Sequence, residues 1–159
     1  MPTTRLQPTF VFIFRLAMAW TFLYAASTQV FNPNWSVADF LSGTKTFHDV
    51  YGVFTGAYVA GLVTFLVAWG HLLIGLSLLV GLMVRVSAAV GGMLMLLYWA
   101  AYMDYPYVGG TRNLLIDFHF VYAIILFYLV AVGAGHVVGL DAWAAKHAER
   151  HPLLRPLFA

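Results

Sequence analysis

Four apolar stretches, each long enough to cross a bilayer, take up most of this chain and leave little room for any other architecture. They run from Phe10 to Val30, Ala57 to Val84, Val86 to Met103 and Leu114 to Val138. A helix needs about 20 apolar residues to span the hydrocarbon layer, so four spans with their connections use nearly the whole length. Composition enters as the check. Of 159 residues, 62% are hydrophobic and 9% charged, against about 25% charged in an average soluble domain. A soluble fold of this size could not hide so much apolar surface.

The expected fold is therefore an all-α integral membrane protein, a four-transmembrane-helix bundle forming a single membrane domain over 1–159. Its spans fall at about 10–30, 57–84, 86–103 and 114–138, with outer loops 31–56 and 104–113 and a cytoplasmic tail 139–159. Orientation follows from the excess of Lys and Arg on cytoplasmic loops. With both termini inside, that side carries Arg5, Arg85, Lys146, Arg150 and Arg155, and the other only Lys45 and Arg112. A multi-pass protein of the cell (plasma) membrane is expected. Arg15 within the first run argues against a secretory signal, despite the Ala25, Ala26, Ser27 sequence that imitates a cleavage site.

Two function classes drop out. The formal charge of +2 arises from few, scattered basic residues, which form no patch that could track phosphates, so no nucleic acid is expected. The chain has no cysteine, which excludes disulfides, thiolate ligation of zinc or iron–sulfur clusters, and sulfur chemistry on its own thiol. No metal is expected.

The connections carry their own signals. Ser36 and Asp39 have capping-box spacing, which predicts a short helix from about Val37, either an ordinary connecting helix or one lying at the membrane surface. Arg85 closes the second span with almost no loop before the third, making these two antiparallel neighbours. Gly70, Gly75, Gly81, Ala88, Gly91 and Gly92 permit close backbone approach between them.

An ionisable group in a span costs about 2.5–3.5 kcal/mol on insertion scales and so requires a partner, a wet cavity or a task. Arg15, His71, Asp117 and His119 are the candidates. Arg15 sits roughly 7–8 Å inside the inner boundary at ~1.5 Å per residue, close enough to snorkel to headgroups. Alternatively it faces the bundle along a stripe with Phe22, Ala26 and Gln29. His71 lies at mid-span, either as an interhelical hydrogen bonder or as a proton donor and acceptor. Asp117 and His119 stand near the outer end of the fourth span, two residues apart, so in regular helix about 200° separates them and they cannot share one pocket.

The N-terminus of that helix, with Arg112, Asn113 and Lys45, forms an expected outward-facing anion site. Asp104 or Asp117 could equally neutralise Arg112. At the same end, aromatic residues are denser than an anchoring belt requires, among them Trp35, Tyr51, Tyr98, Trp99, Tyr102, Tyr105 and Tyr107. Flat walls tipped with hydroxyls suit a quinone ring, for which Trp69, Trp99, Tyr102 and Tyr105 are the expected contacts.

Three strings carry a resemblance. RLAMAWTFLYAASTQVFNPNW from Arg15 to Trp35, FLVAWGHLLIGLSLLVGLMVR from Phe65 to Arg85, and DYPYVGGTRNLLIDFHFVYA from Asp104 to Ala123 together resemble the DoxX-like membrane proteins, most closely the DoxD subunit of archaeal thiosulfate:quinone oxidoreductase. The resemblance implies an enzyme that oxidises thiosulfate to tetrathionate and passes electrons to a quinone of the caldariella- or menaquinone type. His71, Asp117, His119 and Arg15 would be catalytic, and Arg112, Lys45, Asn113 and Gln29 would bind substrate. Membrane lipid, quinone and thiosulfate would be its ligands, with a DoxA-like subunit or further copies of the chain as partners. Gln29 stands where that pattern has lysine, and Ala68 where it has an acidic residue. The rival reading is a non-catalytic anchor or assembly subunit of a redox complex, its charged residues serving only to stabilise packing.

Overall fold

The computed structural model describes residues 6–110 and 113–148. A long first helix, α1 (Leu6–Gln29), leads to two short ones, α2 (Val37–Ser42) and α3 (His48–Gly52), followed by α4 (Ala57–Val80) and α5 (Val84–Ala101). Strands β1 (Met103–Asp104), β2 (Tyr107–Val108) and β3 (Asn113–Leu114) form a small antiparallel sheet in that order. Then come α6 (Phe118–Ala131) and α7 (Asp141–Ala148). The fold is mostly helical and membrane-associated, and among the described residues α1, α4 and α5 are the helices long and apolar enough to cross a bilayer.

The expected fourth span, 114–138, contains a helix of only 14 residues, about 21 Å at 1.5 Å per residue. Local chemistry sets both of its ends. The Asp117 carboxylate caps the first amides, and Gly133, at φ 60°, begins the turn that terminates it. The short helix expected from Val37 forms as α2, capped by the Ser36 side chain, which accepts from the Ala38 amide at 3.2 Å.

Helix α1 packs mainly against α4, and α5 mainly against α6, with thinner contact between α4 and α5. Met18, Ala19 and Phe22 from α1 meet Ile74 and Leu78, Ala88 and Met95, and Leu126 and Leu129 in one shared core. Only 33, 28 and 33% of the central residues of α1, α4 and α5 are buried within the chain. Large side chains such as Trp20, Tyr58 and Leu73 are 71, 97 and 63% exposed, which is the pattern of helices solvated by lipid tails rather than water.

Close approach requires glycine at Gly92, where a Cβ would lie 2.8 Å from the Phe127 ring. The ring edge can give way, so Gly92→Ala is expected to destabilise the bundle by about 1 kcal/mol through overpacking, read as a shifted midpoint of reversible unfolding in mixed micelles.

The two ends of the bundle differ. The loop end holds α2, α3, the sheet and the start of α6; the tail end holds the start of α1, the α4–α5 turn and α7. At the loop end a second apolar cluster joins Val37, Leu41, Tyr51 and Ala101. Burial holds the Tyr51 phenol above its ordinary pKa, so its hydroxyl remains protonated and donates to the Leu97 carbonyl of α5 at 2.7 Å.

Candidate functional site

At the tail end, Arg15 is 1% exposed and turned into the protein, not out to headgroups. Its Nη1 donates to the carbonyls of Ala134 (2.7 Å) and Val137 (2.8 Å), and its Nη2 to that of Val138 (2.8 Å). These carbonyls follow the end of α6, where helical partners have run out. Asp141, 3% exposed, works from the other side. It accepts from the Met83 amide at 2.6 Å and the Val84 amide at 3.1 Å, and so caps α5 from 57 residues away in sequence. Met83 (φ 56°) and Val138 (φ 50°) both occupy the left-handed region, disfavoured for side chains such as these. One is pinned by Asp141 and the other by Arg15. Gly135 makes room for this arrangement, since a Cβ there would lie 1.7 Å from the Asp141 carboxylate.

Arg15 thus belongs to a structural cross-link at the end opposite His119, not to a pocket shared with it. Sequence reasoning also missed Asp141, which it placed in a surface tail. The one available signal was an acidic residue soon after Gly135 and Gly139, whose close approach is legible only once the turns are folded.

At the loop end, a cavity of about 400 Å³ opens between α1, α2, α4, α5 and α6. His71 from α4, Tyr98 from α5, Tyr102 at the C-cap of α5 and His119 from α6 line it, with Phe40 of α2 and Gln29 of α1. Ring contacts order these groups. The Tyr98 ring stacks on His71 at 5.8 Å and on His119 at 5.6 Å, and Tyr102 stacks on His119 at 5.1 Å. Phe40 closes over Tyr98 and Tyr102 at 5.6 and 4.9 Å. Tyr98 and Tyr102 share a helix face because they are four residues apart, but nothing in the sequence announces that both histidines meet there.

Both imidazoles are oriented. His71 Nδ1 lies 2.8 Å from the Val67 carbonyl and must donate to it. His119 Nδ1 lies 2.6 Å from Asp117 Oδ2, while Asp117 Oδ1 accepts from the His119 and Phe120 amides at 3.0 and 3.2 Å. The expected 200° separation of Asp117 and His119 does not apply, because Asp117 is the extended N-cap residue rather than part of the helix. That same cap corrects the expected anion site. The protein's own carboxylate already occupies the N-terminus of α6, where a substrate anion would have to sit.

The remaining candidates scatter. Lys45 is engaged with Asp104 at 2.5 Å on the surface; removal of such an exposed pair by Lys45→Ala is expected to change stability by less than about 1 kcal/mol. Asn113 is exposed in β3, and Arg112 lies outside the described residues. Of the expected quinone walls only Tyr102 lines the cavity. Trp69 is 43% exposed beside Phe65, Tyr105 is 75% exposed, and Trp99 donates to the Leu115 carbonyl at 2.7 Å.

No curated protein and no solved structure matches the chain. One family's sequence model, described as DoxX, matches residues 10–103, which supports the general family and not the DoxD subtype expected from the motifs. The thiosulfate:quinone oxidoreductase expectation, with its tetrathionate product and quinone-reducing role, is corrected accordingly. The chain has no cysteine, and among the described residues no group of three or more His, Asp or Glu could hold a metal. The cationic groups assigned to thiosulfate do not converge: Arg15 is bound to carbonyls at the far end, and Lys45 to Asp104. The sequence match covers more than half of the length and takes in nearly all of α1, α4 and α5, so the chain belongs to the DoxX family.

Proposed function

We propose that this protein is a non-catalytic membrane subunit that anchors or assembles a redox complex, crossing the bilayer four times with both termini cytoplasmic. The observation that supports it best is how the buried charges are used. Arg15 joins α1 to the turn after α6, Asp141 joins α7 to the start of α5, and Asp117 caps α6 and fixes His119. Each of these is an architectural bond, and a rigid bundle with apolar outer faces is what an anchor requires.

The topology is supported by charge placement: Arg85 and Lys146 stand at the tail end and Lys45 at the loop end. The fourth crossing would be α6 with its flanking turns. Because the chain has no cysteine, single cysteines report sidedness directly. Asp49→Cys should react with an impermeant maleimide in intact cells, and Ala142→Cys only after permeabilisation; the reverse pattern would invert the bundle.

Anchoring is tested by deletion. Removing the chain from its host should shift a redox protein from the membrane to the soluble fraction, and restoring either the wild type or His71→Ala should return it. Unchanged fractionation of all redox proteins would refute the proposal.

A further inference from the structure

We propose that the loop-end cavity is a binding site for a flat, neutral molecule bearing a hydroxyl donor, of the phenol class, with His71 Nε2 as the acceptor at its inner end. This goes beyond the anchoring role and does not depend on it.

His71 is 2% exposed and lines the cavity. Its Nδ1–H is committed to the Val67 carbonyl, which leaves Nε2 as the ring's acceptor, and Gln29 Oε1 on the cavity's α1 wall is a buried acceptor without a partner among the described residues. A mid-span imidazole that touches no carboxylate is neutral, because charge there is costly. A neutral ring with Nδ1 protonated presents a lone pair at Nε2. A buried polar atom facing a cavity calls for a complementary group, and here that group is a donor. The tyrosine hydroxyls of the walls can donate or accept, so the imidazole sets the preference.

Tyr98, Tyr102, Phe40 and Phe118 wall the cavity, and its volume of about 400 Å³ suits a single substituted ring. Arg15 is engaged at the opposite end, and Asp117 places a carboxylate behind His119, so an anion gains nothing here. A quinone, whose ring oxygens only accept, would meet the Nε2 lone pair unfavourably.

Titration calorimetry on the full chain in nanodiscs, with empty nanodiscs subtracted, tests this using 4-butylphenol, its methyl ether 4-butylanisole, and tetramethyl-1,4-benzoquinone. The phenol should bind the wild type about tenfold more tightly than the ether, the worth of one hydrogen bond, and more tightly than the quinone. In His71→Phe, which keeps a ring against Tyr98 but removes Nε2, the phenol-to-ether ratio should fall to about one. Equal affinity for phenol and ether, preference for the quinone, or no binding would overturn the assignment. The ligand comparison is read in the wild type, so it holds even where the variant does not fold.

Discussion

Arg15→Met is expected to destabilise the protein by about 3–5 kcal/mol, the cost of removing one partner from a buried charged network. Methionine fills much of the same volume, so the loss reports polar contacts and not a cavity. Three carbonyls beyond α6 would lose their donor, and Asp141 would lose the nearby cation. The left-handed turn at Val138 would then have nothing to pin it. Steric trapping or reversible unfolding in mixed micelles measures the effect. Because Arg15 and Asp141 act on adjoining turns, Arg15→Met combined with Asp141→Asn should cost less than the two single changes added together. Additive losses would show that the two residues work independently.

Asp117→Ala is expected to cost about 2 kcal/mol and to disorder the outer side of the cavity. Loss of an N-cap alone is worth about 1 kcal/mol, and here the same carboxylate also holds His119 Nδ1 at 2.6 Å. Asp117→Asn keeps a capping oxygen and should recover much of the helix stability. It replaces the charge on the histidine with a neutral amide, so the His119 ring signals should still move. Nitrogen chemical shifts of His119 in the labelled protein distinguish these cases. Unmoved shifts in both variants would show that Asp117 caps the helix without orienting the ring.

The sequence made the helices legible because the bilayer imposes a length and a composition that few other folds share. It also singled out Arg15, His71, Asp117 and His119, since charge in an apolar run is rare. What those groups do was not legible. Arg15 lies on a stripe with Gln29, and only the fold shows that one end of that stripe meets the turn after α6 and the other the cavity. Asp117 was treated as helical, which forced it away from His119; one extended residue at the cap reverses that geometry. Tyr98, the ring joining both histidines, looked like one aromatic among many. Its place depends on how α4, α5 and α6 meet, which no local pattern encodes. Family motifs misled in the opposite direction, because they suggested a chemistry for which this chain supplies neither a thiol nor a cluster of metal ligands among its described residues.

In the proposed role, the buried charges of this DoxX-family bundle hold it together and turn over no substrate. Stopped-flow absorbance of the purified chain, mixed with a sulfur-oxyanion reductant and a soluble quinone analogue, tests it most directly. No reduction of the quinone above the protein-free rate is expected, in wild type and in a His71→Ala, His119→Ala double variant alike. Multiple turnovers by the wild-type chain alone, abolished in the double variant, would contradict it.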